Sequence, residues 1–170
     1  HISLLNPPAG RFQQVEAPDG VTAVVDFAHT PDALDNVLKT IDSFRTGSTQ
    51  VITVVGCGGN RDRGKRPAMT QVVAELAHLA WATSDNPRKE SIDAIFTDMR
   101  TGLGPLPTVE FVADRREAIG RALAAARPGD CVVVTGKGHE STQEFADTVV
   151  PFDDRQVVRE LLDLRRGNAS

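Results

Sequence analysis

The feature that most limits what this chain can fold into is a repeated alternation of short β-branched, apolar runs with longer stretches of helical period. Residues 21–27, 51–55, 79–83, 108–112 and 131–135 read as strands by their content of Val, Ile, Thr and other apolar residues. After the first of these, Thr30-Pro31-Asp32 predicts a helix start, with Thr30 as N-cap and Pro31 at the first helical position. Leu34, Val37, Leu38 and Ile41 then give that helix an apolar face at spacings of three and four. Further helices are expected over residues 67–77, over 92–99 with Ser91 as cap, and from an Asp114 cap through the alanine-rich run to Ala126. A weaker strand is expected over 148–150. Asp154 is then expected to cap a last helix that buries Val157, Val158, Leu161 and Leu162. Strand and helix recur at 25–30 residues per unit. Such alternation predicts an α/β domain with a mostly parallel, twisted sheet, helices on both faces and right-handed crossovers.

The 170 residues suit one domain that can bury a core without staples. A net charge of −4 gives no general attraction to nucleic acid or to an anionic membrane, so any cluster of arginines points to a local anion site. Cys57 and Cys131 lack a metal-ligand spacing, which argues against a zinc site or a disulfide framework and suits a reducing compartment. With no signal peptide and no long apolar run, the expected location is cytoplasmic. The chain starts at His1 rather than methionine and reads as a fragment of a longer polypeptide. Residues 1–20, rich in turn signals such as Pro7-Pro8 and Pro18-Asp19-Gly20, read as a leading linker followed by a tight turn.

In an open parallel sheet, ligands bind beyond the carboxyl ends of the strands. The segments expected there are unusually polar. They are Asp26-Phe27-Ala28-His29-Thr30-Pro31, the glycine-rich stretch 56–66, Asp85-Asn86-Pro87-Arg88, and Gly136-Lys137-Gly138-His139-Glu140. Residues Gly59 to Lys65 have the spacing of a nucleotide phosphate loop, but Arg66 stands where a serine or threonine would hold magnesium. Gly56 and Gly58 begin a dinucleotide fingerprint that Arg61 breaks. The stretch is better read as a flexible basic loop opening a helix, against the plainer reading of a solvated charged loop. Pro87 biases Asn86 to an extended backbone, and Arg88 offers a planar fork for a carboxylate or phosphate. Glycines 136 and 138 allow positive φ or close backbone approach, and Glu140 is suited to an ammonium group. By themselves, His29 and His139 are more often packed side chains than bases. His78 falls in a helix pattern and reads as structural, and Trp81 as core packing.

Together these motifs resemble the C-terminal domain of the Mur ligases, in the branch that adds the third residue of the peptidoglycan stem peptide. The resemblance extends from about Gly10-Arg11 to the last helix and includes Asp114-Arg115-Arg116-Glu117 and Pro151-Phe152-Asp153-Asp154-Arg155. Phe27 stands where the family commonly has tyrosine.

The resemblance implies a Rossmann-like, three-layer domain over residues 14–170, with residues 1–13 as the linker from a central ATPase domain that this chain lacks. That central domain carries the true ATP phosphate loop and a carbamylated lysine that helps to bind Mg2+, while a further N-terminal domain holds the UDP-sugar. The implied reaction uses ATP to phosphorylate the carboxylate of UDP-MurNAc-L-Ala-D-Glu, and the amine of meso-diaminopimelate then attacks the acyl phosphate. The implied amino-acid pocket comprises Arg61, Asp85, Asn86, Arg88, Gly136 and Glu140. Arg11, Asp26 and His29 would contact the nucleotide, Arg11 near the phosphates and Asp26 toward the ribose, with Lys65 adding charge beside them. No metal ligand and no complete catalytic set is expected within this chain, so the isolated domain is expected to be inactive. In this family the Asp-Asn-Pro-Arg form accompanies diaminopimelate. L-lysine would leave Arg88 desolvated without a partner, a kind of discrimination on the order of 10⁴-fold.

Competing readings are a stand-alone amino-acid or nucleotide-binding module and another ATP-dependent amide ligase, such as a folylpolyglutamate or cyanophycin synthetase. A nucleotide-dependent dehydrogenase ranks below them because the fingerprint is broken.

Overall fold

The structure, a computed structural model, describes residues 11–105 and 108–168. Its elements run β1 (Gln13–Glu16), β2 (Thr22–Asp26), α1 (Pro31–Ser43), β3 (Val51–Cys57), α2 (Lys65–Leu76), β4 (Leu79–Ser84), α3 (Ile92–Arg100), β5 (Val109–Phe111), α4 (Arg115–Ala125), β6 (Cys131–Thr135), β7 (Thr142–Glu144), β8 (Val149–Pro151) and α5 (Asp154–Gly167). Six strands form one sheet in the order β1-β2-β6-β3-β4-β5, while β7 and β8 form a separate antiparallel pair. Within the large sheet only β1 runs antiparallel to its neighbour. This is the mostly parallel α/β arrangement that the alternation predicts.

Both faces of the central strands are covered, so these strands carry apolar residues at successive positions instead of alternating with polar ones. In β3, Val51, Val55 and Cys57 face a core shared with α1, α2 and α3. Ile52 and Val54 of the same strand face a second core shared with α4 and α5. Cys131 and Val133 of β6 likewise join the first core, and Val132 and Val134 the second. Three layers result. Trp81 lies in the second core, where its indole N–H donates to Glu110 Oε2 at 3.0 Å. The bulky residue in β4 is therefore a packing element with its polar atom satisfied.

Thr30, Ser91 and Asp114 cap α1, α3 and α4 as expected, each side chain accepting a backbone N–H of the first turn. The cap of α5 is Asp153 instead of Asp154. Asp154 turns inward and is fully buried against Arg115, so its carboxylate is spent on that side chain. Arg115 Nε and Nη2 donate to the two Asp154 oxygens at 2.8 and 2.7 Å, and its Nη1 and Nη2 reach the carbonyls of Ser84 and Thr135 at 3.2 and 3.0 Å. One guanidinium thus ties the starts of α4 and α5 to the ends of β4 and β6.

Other boundaries also differ. α2 begins at Lys65, two residues earlier than expected, and ends at Leu76. His78 lies beyond it, where its Nδ1 accepts the Val51 N–H at 3.1 Å and its own N–H donates to the Val51 carbonyl at 2.8 Å. It is structural, as a clasp on β3. β1 falls within the segment expected to be linker and turn, β7 was not expected at all, and the weak strand expected over 148–150 is β8.

Candidate functional site

The loops that follow β2, β3, β4 and β6 converge at the carboxyl edge of the sheet around a cleft of about 300 Å³. Phe27, His29, Gly58, Arg61, Lys65, Asp85, Asn86, Arg88, Gly136 and Glu140 line it. All six residues expected in an amino-acid pocket are therefore in one place, together with His29 and Lys65. Arg11 and Asp26 are not among the lining residues. A slightly larger cleft, about 340 Å³, opens at the opposite edge between α1 and the starts of β2 and β3. It lacks convergent charged groups facing one another, so the first cleft is the better candidate site.

The Asp85-Asn86-Pro87-Arg88 turn is held from several sides. Asn86 donates through Nδ2 to Glu140 Oε2 at 3.2 Å, and its Oδ1 accepts from Lys137 Nζ and from the Glu144 N–H, each at 3.0 Å. Its carbonyl accepts the Gly59 N–H at 2.8 Å. Pro87 lies so close to Gly59 that a Cβ there would meet the Pro87 oxygen at 1.7 Å. Only glycine permits this approach of the two loops. Arg88 sits in the left-handed region at φ 54°, a conformation that costs a non-glycine residue roughly 1–3 kcal/mol. Backbone hydrogen bonding to the next loop holds it there, with the Arg88 N–H donating to the Glu144 carbonyl at 3.0 Å.

The Arg88 guanidinium is partly engaged already. Its Nη1 donates to the Gly59 carbonyl at 2.9 Å and its Nε to Glu144 Oε2 at 3.1 Å. Lys137, fully buried, places Nζ 3.2 Å from Glu140 Oε2 and 3.9 Å from Asp85 Oδ1. Burial raises the Asp85 carboxyl above the usual carboxylate range, opposed by Arg115 and Lys137. Gly136 adopts φ 114°, and a Cβ there would stand 2.5 Å from Asp85 Oδ2, so both the turn and the carboxylate require glycine.

The basic loop after β3 is tied to its neighbours by hydrogen bonds and ion pairs. Besides the Gly59 contact, the Asn60 N–H donates to Glu90 Oε2 and Asn60 Oδ1 accepts the Lys89 N–H, both at 2.9 Å. Arg66 is fully buried and pairs with Glu90 at 2.7 Å and Asp98 at 2.8 Å, while Arg63 pairs with Asp98 at 2.8 Å. Hydrogen bonds from Arg66 and Arg63, respectively, hold the Glu90 and Asp98 carboxyls down at about 2. Arg61 and Lys65 face the cleft without an ion-pair partner among the described residues. The loop thus divides its charge, with Arg63 and Arg66 bracing α2 against α3 while Arg61 and Lys65 stay available.

On the β2 side, the Phe27 and His29 rings meet at a tilt of 57° with centroids 4.5 Å apart, and the His139 ring stands 5.9 Å from Phe27. Asp26, expected to reach toward a ribose, accepts the N–H groups of Phe12 and Ala28, each at 2.7 Å. In this conformation it anchors the chain before β1 to the loop after β2. Arg11 is exposed beside that anchor. Both thiols are buried and raised to about 12 by desolvation, so neither Cys57 nor Cys131 is a nucleophile. Among the described residues, no group of three or more His, Cys, Asp or Glu could hold a metal ion, and no helix is long and apolar enough to cross a membrane.

Lys137, Glu144 and Arg115 carry much of this geometry, and sequence reasoning gave none of them a role. Lys137 was in view inside the Gly-Lys-Gly turn, but nothing in its neighbours along the chain signals that it is buried.

The chain resembles known proteins over nearly its whole length. It is 48% identical over 164 residues to the UDP-N-acetylmuramoyl-L-alanyl-D-glutamate--2,6-diaminopimelate ligase of Bacteroides thetaiotaomicron, covering 95% of this chain and 34% of that protein. It is 48% identical over 161 residues to the ligase of the same name from Gloeobacter violaceus, covering 93% of this chain and 32% of that one. A solved structure of a ligase with that name superimposes with a TM-score of 0.87 at 44% identity, covering 96% of this chain and 33% of that one. A folylpolyglutamate synthase from Thermotoga maritima shares the fold alone, with a TM-score of 0.57 at 19% identity over 76% of this chain and 28% of that one. The chain thus spans about a third of the length of the curated relatives it matches. The family model for the Mur ligase, glutamate ligase domain, matches residues 10–138. That match takes in every loop around the cleft up to the Gly-Lys-Gly turn, and the chain belongs to this family.

Proposed function

We propose that this domain binds the incoming amino acid, and helps to bind ATP, in a longer ATP-dependent ligase that joins meso-diaminopimelate to UDP-MurNAc-L-Ala-D-Glu through an acyl phosphate. The observation that carries the reading is that Arg88 and Glu140 line one cleft, with Asn86 donating to Glu140 through Nδ2 and accepting from Arg88 through its carbonyl. A diamino diacid has a carboxylate for the arginine and an ammonium for the glutamate, and a planar guanidinium suits the carboxylate bidentately. The names of the relatives, which match this chain at 48% identity, support the same substrate.

In this reading Arg61 and Lys65 meet anionic groups, the substrate carboxylates and the phosphates, in a chain whose net charge is −4. The tilted Phe27 and His29 rings line the nucleotide side of the cleft. Arg11 lies nearest to where the chain would join the preceding domain, and Asp26 acts by holding that junction. The carboxylates here do not suit Mg2+, because Lys137 already serves Asp85 and Glu140 and no third ligand stands near them among the described residues. No step is therefore assigned to a metal in this domain, and phosphate activation belongs to the rest of the longer enzyme. The isolated domain is expected to bind without turning over.

In the full-length enzyme, Arg88→Ala is expected to lower kcat/KM for diaminopimelate by on the order of 10²- to 10⁴-fold. The basis is the loss of two charge-assisted hydrogen bonds at about 1.5–3 kcal/mol each. Turnover with L-lysine should change far less. An unchanged ratio between the two amino acids would overturn the pocket assignment.

A further inference from the structure

The cleft carries an internal counter-ion at the pole meant for the distal carboxylate. Glu144 Oε2 accepts from Arg88 Nε at 3.1 Å, and its side chain is 47% exposed, against 21% for Arg88. Arg88 Nη1 is held by the Gly59 carbonyl at 2.9 Å. The edge of the guanidinium formed by Nε and Nη2 is the one left for a bidentate ligand, and Glu144 sits on it. Two backbone bonds fix Glu144 in this place whatever its side chain does. Its N–H donates to Asn86 Oδ1 at 3.0 Å, and its carbonyl accepts the Arg88 N–H at 3.0 Å.

The geometry points to Glu144 as a specificity-determining residue, a resident carboxylate that occupies Arg88 until the distal carboxylate of the incoming amino acid displaces it. The inference rests on the amino-acid pocket proposed above. Its consequence runs against the simple expectation for lysine. An amino acid without a distal carboxylate does not strand Arg88, because the Arg88–Glu144 pair can persist beside it. The diacid must break that pair to bind. Glu144 therefore narrows the preference for the diacid that Arg88 alone would impose, and the exposure of Glu144 lets it swing into solvent when displaced.

The other pole differs in kind. Lys137 on Glu140 is fully buried and cannot leave, so Glu140 accepts a substrate ammonium in addition to Lys137 rather than in exchange for it. Only the carboxylate pole is built for exchange.

The test uses the full-length enzyme and its Glu144→Gln and Glu144→Ala variants, with KM and kcat measured for diaminopimelate and for L-lysine. Removing the internal carboxylate is expected to lower KM for diaminopimelate about twofold to fivefold, the range in which partly exposed ion pairs are held. KM for lysine should rise or stay level, so that the ratio of kcat/KM values widens in favour of the diacid, with the effect in KM more than in kcat. The glutamine variant keeps the length of the side chain and the alanine variant removes it, so a packing effect would separate the two while the loss of charge unites them. A KM for diaminopimelate that rises or stays constant in both variants overturns the proposal. If the unaltered enzyme instead fails to use diaminopimelate at all, the pocket reading itself fails, and that outcome is visible before any variant is made.

Discussion

A lysine ammonium with no solvent exposure needs acceptors on its own side of the fold, and Lys137 finds them in Asn86 Oδ1 at 3.0 Å and Glu140 Oε2 at 3.2 Å. Lys137→Met would leave the buried Asp85 carboxylate without its nearby ammonium and Asn86 short of one donor. The variant is expected to lose about 3 kcal/mol of stability, the lower end of what removing one partner of a buried ion pair costs. A urea denaturation midpoint that falls at constant slope would report it. At this scale the sequence was informative about charge and poor about partners. Arg61, Lys65, Asn86, Arg88 and Glu140 stood out because each lies just after a strand, where a parallel sheet gathers its polar ends. That Lys137 serves Asn86, 51 residues away, and that Glu144 serves Arg88, 56 residues away, depends on which loops meet in space.

At the scale of elements, the helices with sharp caps and apolar stripes were legible, and the short polar strands were not. β1, Gln-Gln-Val-Glu, has almost no apolar pattern and exists because its backbone pairs with β2. β7, Thr-Gln-Glu, depends in the same way on β8 and on the contact of its loop with Arg88. The misplaced cap of α5 has a related cause. Asp153 and Asp154 are equivalent as local signals, and only the fully buried Arg115 distinguishes them. Asp154→Ala is expected to destabilise the domain by about 3–5 kcal/mol, because it strands that guanidinium in the core. A double Arg115→Met, Asp154→Leu variant should recover part of the loss. It should not recover all of it, since the Ser84 and Thr135 carbonyls also lose their donor. Chemical denaturation of these variants beside the parent would measure both effects.

Across the whole molecule, the brace of Arg63 and Arg66 with Glu90 and Asp98 links α2, α3 and the turn between β4 and α3. Both carboxyls lie lower in the folded protein, at about 2, than their ordinary values of 4.5 and 3.8. A depressed folded value means that the stabilisation is complete above the unfolded value and is lost as pH falls through the folded one. Stability should therefore decline between about pH 4.5 and pH 2, and Glu90→Gln should flatten that decline while lowering stability at neutral pH. Thermal midpoints across that range would show whether it does.

The cleft itself is cross-stitched. The Gly59 N–H donates to the Asn86 carbonyl, the Arg88 N–H to the Glu144 carbonyl, and the Glu144 N–H to Asn86 Oδ1, so the loops after β3, β4 and β6 share one hydrogen-bonded lattice. Such a lattice behaves as a stiff die rather than as a set of fingers. A ligand pressed against it meets a surface already cut to shape, and only long, partly exposed side chains such as Arg88 and Glu144 have room to rearrange. Any larger movement that brings this surface onto a reacting partner is then expected of the domain as one body.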